Sequence, residues 1–211
     1  MKVAVLFSGR VFGFEKTIPY YLNGLFGDAD VDIFVSHNAY NKEDIELLKS
    51  MSEKIHATSE LYELPGDPPI KGTHPTDPRG YYNNSKWYNL HKVYTMMKDY
   101  SETNSVHYDC VVVGRTDAEV FHLKINPVCK ENTLYIPNFC DCGGIHDQMA
   151  WGKMEVMKIY CDLYTKVNTK SIGEIILKEY LNTTTLTIQR VDFTFKLMPG
   201  SHIHNPERNW R

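Results

Sequence analysis

The chain lacks a long hydrophobic run, an excess of charge of one sign and an ordered set of cysteines. Of its 211 residues, 23 are basic and 26 acidic, which disfavours a general polyanion-binding surface but leaves room for a local basic pocket. No apolar run approaches the roughly 20 residues of a membrane-spanning helix. The apolar start, Met1 to Phe7, is too short for a signal peptide. We therefore expect a cytoplasmic protein that is not secreted.

The 5 cysteines are odd in number, and only Cys140 and Cys142 lie close together in the sequence. A disulfide framework is therefore disfavoured. A zinc site would need two further ligands, and His146 is the one nearby candidate. We expect the cysteines to be reduced and to pack as small apolar groups.

Aromatic residues are plentiful, with 14 Tyr, 9 Phe and 3 Trp, and 42% of the chain is hydrophobic, so a buried core is feasible. Apolar runs predict strands over 3–7, 31–35, 108–113, 133–137 and 186–191. Helices are predicted over 14–26 and 172–181, and from Asn41, Ser85 and Asp147 as caps. Residues 65–80 are rich in proline and glycine and predict a long loop that serves as a lid or binding loop. The alternation predicts an α/β sandwich with a mostly parallel sheet.

Polar residues follow two of these strands, where an open α/β sheet binds its ligands. Ser8, Gly9 and Arg10 follow the first strand, and Gly9 would let backbone amides approach a ligand. This is neither a dinucleotide fingerprint nor a P-loop, and a simple turn explains it equally well.

A charged triplet, Arg115, Asp117 and Glu119, follows the strand over 108–113. If the segment stays extended, all three side chains share one side. The carboxylates suit Mg²⁺ or Mn²⁺ bridging phosphates, and Arg115 suits a bidentate contact with phosphate oxygens. The alternative is a surface ion pair between Arg115 and Asp117.

The order of these motifs resembles that of GT-A fold glycosyltransferases. The matching segments are Val3 to Arg10, Arg115 to Glu119, and Gly144 to Gly152 with its D-Q-x-x-x-G pattern. Taken whole, the chain is similar to glycosyltransferase domains at the amino terminus of large chlorella-virus proteins. The resemblance implies a GT-A-like (Rossmann-type) mixed, mostly parallel sheet flanked by helices. It also implies one domain over residues 1–211 of a longer polypeptide, in the host cytoplasm if viral.

The resemblance implies a UDP-sugar donor, such as UDP-glucose or UDP-rhamnose, and Mn²⁺ or Mg²⁺ bridging its diphosphate. It implies a glycan acceptor, such as one on a viral capsid glycoprotein, with no nucleic acid or membrane span involved. Because the motif reads Asp117-Ala-Glu119 and not D-x-D, the main metal ligand stays open between these carboxylates. A site relying on a single carboxylate or on Arg115 also stays open.

Other residues gain roles within this resemblance. Asp147 and Gln148 would lie near the sugar, with Asp147 as general base if the reaction inverts the anomeric centre, although Asp147 as a helix cap explains the same residue. The tail motif His202-Ile-His204 offers His204 as a further metal ligand, or simply exposed histidines. Arg79 and Lys86 lie near the expected lid and would contact phosphate or sugar, unless they are only solvated charges.

The loop and tail aromatics Tyr81, Tyr82 and Trp210 would line a sugar pocket, whereas Trp87, Tyr94, Tyr160 and Tyr164 belong to helix faces. Two other classes of function use the same residues. One is a non-catalytic nucleotide- or carbohydrate-binding module. The other is a phosphatase or nucleotidyl hydrolase.

Overall fold

A computed structural model of the chain describes residues 1–9, 13–23, 25–39, 46, 48, 50–61, 78–120, 124–166 and 173–197. The strands in these ranges are β1 (Lys2–Gly9), β2 (Asp30–Ala39), β3 (Ile55–Leu61), β4 (Cys110–Gly114), β5 (Ala118–Val120), β6 (Thr133–Pro137), β7 (Ala150–Gly152), β8 (Thr187–Val191) and β9 (Phe195–Leu197). The helices are α1 (Phe14–Asn23), α2 (Pro78–Asn104), α3 (Met154–Cys161), α4 (Leu163–Lys166) and α5 (Gly173–Leu181).

Seven strands form one sheet in the order β3-β2-β1-β4-β7-β6-β8. β7 is antiparallel to both β4 and β6, and the other pairings in this sheet are parallel. β5 and β9 pair separately as an antiparallel ribbon. The predicted fold class, a mixed and mostly parallel sheet flanked by helices, is confirmed.

Alternate residues of the central strands face two separate hydrophobic clusters. On β1, Ala4 and Leu6 join a cluster that also contains buried residues of α2, α3 and α5. Val3 and Val5 join a second cluster with residues of α1 and of the segment 124–130. Both faces of β1 and β4 are therefore covered, which explains why these strands are continuous apolar runs.

Several predicted boundaries need correction. α2 begins at Pro78, so Ser85 lies inside the helix and does not cap it; a proline suits the first turn because its missing N–H has no partner there. Tyr81 and Tyr82 therefore lie in a helix and not in a loop. α1 contains Pro19 in its middle and ends at Asn23, before the predicted end at residue 26.

Asp147 does not cap a helix. The strand β7 follows it, and α3 starts only at Met154, where the capping position is occupied by Lys153 without a side-chain hydrogen bond. Of the loop predicted over 65–80, residues 78–80 belong to α2, and residues 65–77 lie outside the described residues. The helix start at Asn41 and the tail residue Trp210 also lie outside them.

Across the described ranges, no helix combines the length and the apolar character that crossing a bilayer requires.

Candidate functional site

The strand order defines a switch point between β1 and β4. From β1 the chain builds β2 and β3 on one side, and it then returns to add β4 on the other side. Phe7 pairs with Gly114, the last residue of β4, so Arg115 leaves β4 beside the end of β1, where Ser8 and Gly9 still pair with β2. Ligands of open α/β sheets bind in the crevice outside such a point. The carboxyl edge between β1 and β4 is therefore the candidate site.

Arg115 and Asp117 form a bidentate ion pair at this edge. Arg115 Nε donates to Asp117 Oδ1 and Arg115 Nη2 donates to Asp117 Oδ2, both at 2.7 Å. The chain turns at Thr116 and Asp117, so it does not stay extended, which was the condition for all three charged side chains to share one side. The Asp117 side chain is 12% exposed and the Arg115 side chain 32%. The carboxylate is therefore buried, and its partner cation still faces solvent.

Close packing under this pair fixes its position. A Cβ atom on Gly114 would come within 2.8 Å of the Tyr21 hydroxyl oxygen and 3.0 Å of the Phe7 ring, so a larger residue at position 114 would have to displace these two buried side chains. The buried hydroxyl of Thr17, also on α1, donates to the carbonyl of Thr116 at 2.8 Å. α1 therefore holds the turn that carries Asp117.

Lys86 and Asp147 form a second pair. Lys86 Nζ lies 2.6 Å from Asp147 Oδ2 and donates to the Asp147 carbonyl oxygen at 2.7 Å. The Lys86 side chain is 29% exposed and that of Asp147 8%. Burial lowers the pKa of Lys86, and the Asp147 carboxylate opposes this effect. The Lys86 ammonium also lies 5.0 Å from the ring centre of Trp87, within the range of a cation–π contact.

The reversed direction of β7 brings Asp147 to the site. Val113 near the end of β4 pairs with Ala150 at the start of β7. Because β7 runs against β4, the residues just before β7 lie at the carboxyl edge of β4. Asp147 and Gln148 consequently lie near Arg115 and Asp117, and the Asp147 charge acts on Arg115 electrostatically.

The loop over 138–149 is anchored by the strand β8. Arg190 donates to both carboxylate oxygens of Asp141, at 3.0 and 2.7 Å, and to the carbonyl of Pro137 at 2.6 Å. Asp141 Oδ1 also accepts the backbone N–H of His146 at 2.9 Å. This network, which sequence patterns did not reveal, orders the loop that presents Asp147.

The same loop packs tightly against the start of α5. A Cβ atom on Gly144 would come within 2.1 Å of the backbone carbonyl of Glu174, so only glycine fits there. The N–H of Ile145 donates to this carbonyl at 3.0 Å. The loop is therefore fixed on both sides of Gly144.

His146, directly before Asp147, is fully buried. Its ring lies 4.6 Å from the ring centre of Phe139 and 5.7 Å from that of Phe195 on β9. Burial lowers the pKa of His146 to about 4, although the Asp147 charge acts in the opposite direction. The ring is therefore neutral near pH 7 and connects the Asp147 loop to the ribbon of β5 and β9.

A further polar contact at this edge was missed by sequence reasoning. Ser36 pairs with Ser8 across β1 and β2, and its side chain contacts Asn89 of α2, with 3.1 Å between Ser36 Oγ and Asn89 Oδ1. Both residues are buried. Asn89 follows Lys86 by three residues on the same helix, and this spacing is the signal that could have placed both on one face.

The predicted site residues are distributed as follows. Ser8, Arg115, Asp117, Lys86, Asp147 and Gln148 all lie at the carboxyl edge of the sheet. Gly9 ends β1 at this edge. The backbone of Arg79 lies in α2 and that of Glu119 in β5, and their side chains are outside the described part of the chain. Arg10 and His204 are also outside it.

No protein-family model matches the chain, and no curated protein matches its sequence. Among the solved structures that it resembles is a protein from Desulfovibrio desulfuricans G20 to which nucleotide-diphospho-sugar transferase activity has been ascribed. The likeness has a TM-score of 0.49 and 10% identity, and it covers 90% of this chain and 79% of that chain. The functional proposal below rests on the residues of this chain.

Proposed function

We propose that the chain is a glycosyltransferase that moves a sugar from a nucleotide-sugar donor to a hydroxyl of a glycan. One observation carries this proposal. Two cations, Arg115 and Lys86, lie partly exposed beside the switch point, and each is backed by a buried carboxylate. A crevice of this kind suits the diphosphate of a nucleotide sugar, because its cations can turn their remaining N–H groups toward phosphate oxygens.

The chemistry that follows is stabilisation of a leaving group. Transfer breaks the bond between the anomeric carbon and the diphosphate, and negative charge grows on the departing oxygen. Arg115 and Lys86 would stabilise that charge from fixed positions, which is the largest contribution in many enzymes of this kind. The resemblance to the viral domains supports a UDP-sugar, such as UDP-glucose or UDP-rhamnose, and an acceptor on a capsid glycoprotein.

Asp147 is proposed to act at the sugar. Lys86 holds Oδ2 of its carboxylate, so a proton from the acceptor hydroxyl would be taken by Oδ1 if the reaction inverts the anomeric centre. In a retaining reaction the same carboxylate would stabilise an oxocarbenium-like state. Gln148 would contact the sugar hydroxyls beside it.

The residues present fit a divalent metal that is held by one carboxylate together with the phosphates of the substrate. Each oxygen of Asp117 accepts one hydrogen bond from Arg115, and a carboxylate has about four acceptor sites in all, so capacity remains for a cation. Within the described residues, no group of three His, Cys, Asp or Glu side chains could hold a metal alone. Mg²⁺ and similar ions are often held by one or two carboxylates plus substrate phosphates. A bound metal would act as a Lewis acid on the diphosphate.

A screen of nucleotide sugars tests this proposal. Release of nucleotide from UDP-, GDP- and CDP-sugars would be measured with and without Mn²⁺. We expect metal-dependent release from a UDP-sugar. In the Asp117→Ala variant, release should fall by a factor on the order of 10²–10³, as when one stabilising group of a transition state is lost. Circular dichroism would verify that the variant is folded.

The matched control is Asp30→Asn, because Asp30 lies at the opposite edge of the sheet and should leave release unchanged. Full metal-dependent release by Asp117→Ala would contradict the assigned site. Binding of UDP without turnover of any donor would point to a binding module, and release of phosphate without a sugar acceptor would point to a hydrolase.

A further inference from the structure

Two buried cysteines lie in direct contact on the face of the sheet that α1 covers. Cys110 is the first residue of β4, and Cys129 lies in the segment 124–130 that precedes β6. Their sulfur atoms are 3.3 Å apart. This is closer than the optimal contact of two carbon atoms, about 3.5–4.0 Å, although sulfur is the larger atom.

The backbone holds both cysteines in place. Cys110 is hydrogen-bonded within the sheet beside Val3 of β1. The other segment is anchored by the N–H of Ile125, which donates to the carbonyl of Leu25 at 2.7 Å, and by the N–H of Lys130, which donates to the Tyr135 hydroxyl at 3.1 Å. A disulfide would need the two sulfurs, now 3.3 Å apart, to approach by about 1.2 Å.

We propose that Cys110 and Cys129 are a site of reversible disulfide formation, with a small external disulfide such as glutathione disulfide as the oxidant. The Cys129 thiolate attacks one sulfur of the oxidant and releases one external thiol. The Cys110 thiolate then attacks the Cys129 sulfur and releases the second external thiol. Two protein thiols and one external disulfide thus become one protein disulfide and two external thiols, and the two protons pass to the released thiols or to solvent.

The order of attack follows from the surroundings of the two thiols. Cys129 is 8% exposed, whereas Cys110 is fully buried, so an external disulfide meets Cys129 first. The contact with Cys110 lowers the pKa of Cys129, and the nearby Lys153 adds to this effect. Burial and the same contact raise the pKa of Cys110. Cys129 is therefore the better initial nucleophile.

A disulfide between Cys110 and Cys129 would attach the segment 124–130 covalently to β4 and leave the candidate site at the carboxyl edge unchanged. Cys110 lies four residues before Gly114, about 13 Å along the strand, so the bond would form far from Arg115. Closing a loop between residues 19 apart restricts the unfolded chain, and this should raise Tm by about 6–12 °C in a protein of this size. Nucleotide binding should remain within about twofold of its reduced value, since no group at the carboxyl edge moves.

The test uses a variant with both exposed cysteines replaced, Cys140→Ala with Cys142→Ala, so that they cannot form competing bonds. The folded protein would be incubated with glutathione disulfide, alkylated, digested and analysed by mass spectrometry. We expect a peptide that links Cys110 to Cys129, a higher Tm, and reversal of both by dithiothreitol. Adding Cys129→Ala should abolish the linked peptide, while adding Cys161→Ala, another buried cysteine, should preserve it.

Two outcomes would overturn the proposal. One is that the linked peptide forms only in denaturant and not in the folded protein. The other is that Cys129 forms a mixed disulfide with glutathione and Cys110 does not then displace the glutathione. The linked peptide can also be sought in the wild-type chain, so the test does not depend on how well the variants fold.

Discussion

The two edges of the central sheet both carry aspartates paired with cations, but the pairs differ in how many partners each charge has. At the amino edge, Lys2 contacts both Asp30, at 2.8 Å, and Asp32, at 3.1 Å. Asp32 also accepts a hydrogen bond from the Tyr108 hydroxyl at 2.7 Å, and Asp30 pairs in addition with Lys54. At the carboxyl edge, Arg115 pairs with Asp117, and Lys86 pairs with Asp147.

This difference separates charges that hold strands together from charges that can respond to a ligand. At the amino edge each aspartate has two donors, and the network joins β1, β2 and the residues before β4. An added anion would have to displace existing carboxylates from Lys2. At the carboxyl edge the cations are partly exposed, so a diphosphate can approach them without breaking a strand contact.

The largest expected difference in ligand binding between the two edges comes from removing the cation Lys86 at the carboxyl edge and, for comparison, Lys2 at the amino edge. Lys86→Met should weaken UDP binding by about 10- to 100-fold, which is the value of one lost charge-assisted hydrogen bond. Lys2→Met should leave UDP affinity unchanged, because Lys2 lies at the other end of the strands. Isothermal titration calorimetry measures both. Equal weakening in the two variants would mean that the edges do not differ as described.

The next prediction concerns how acid changes the stability of the fold through His146. Burial holds the pKa of His146 at about 4, below the usual value of about 6.5, so the unfolded chain binds a proton that the folded chain excludes. The free energy of unfolding is therefore unaffected by this histidine above pH about 6.5. It decreases as the pH falls toward 4, by up to about 3 kcal/mol. His146→Phe should lose less stability than the wild type between pH 7 and about 4.5 in urea denaturation.

The matched control is His107→Phe, because His107 is exposed and not enclosed by aromatic rings. Its acid dependence should follow that of the wild type. A His146→Phe variant with the same acid dependence as the wild type would show that burial of this ring does not oppose its protonation.

The smallest effect belongs to the amino edge. Hydrogen bonds from Lys2 and Lys54 lower the pKa of Asp30 to about 2. The stability that Asp30 contributes is therefore present above its usual pKa of about 3.9 and is lost as pH falls toward 2. Because Asp30 is half exposed, we expect only about 0.2–1 kcal/mol. Asp30→Asn should reduce the loss of stability between about pH 3.9 and pH 2 in urea denaturation. Added salt should make the wild type and the variant more alike, because it screens a surface ion pair. A difference between them that does not depend on salt would contradict such a pair.

The central strands could be predicted because their burial leaves a direct mark on the sequence. Strands covered on both faces are uninterrupted apolar runs, so the predicted 3–7 and 133–137 fall on β1 and β6. The polar residues at the ends of β1 and β4 were predicted to lie where an open α/β sheet binds its ligands, and these two parallel strands do end at a common edge. Their individual roles in the site stay predictions.

The short strand β7 could not be predicted. Its residues belong to a stretch where Ala150, Met154, Met157 and Cys161 recur at helical spacing, and three residues are too few to show alternation. Pairing with β4 and β6 decides their conformation, and those partners are distant in the sequence. The start of α2 was missed for a similar reason, because glycine and asparagine near Pro78 are poor helix formers and favour a loop on local grounds.

The backward run of β7 also determines how this fold could change over evolution. The loop over 138–149 leaves the sheet after β6 and rejoins it at β7, so both of its ends lie on neighbouring strands. Its exposed residues, such as Asn138 and Cys142, can vary without altering the order of the strands, whereas Ile145 and Met149 belong to the two hydrophobic clusters. In the proposed glycosyltransferase, changes at these exposed positions could alter the acceptor while Asp147 keeps its pair with Lys86.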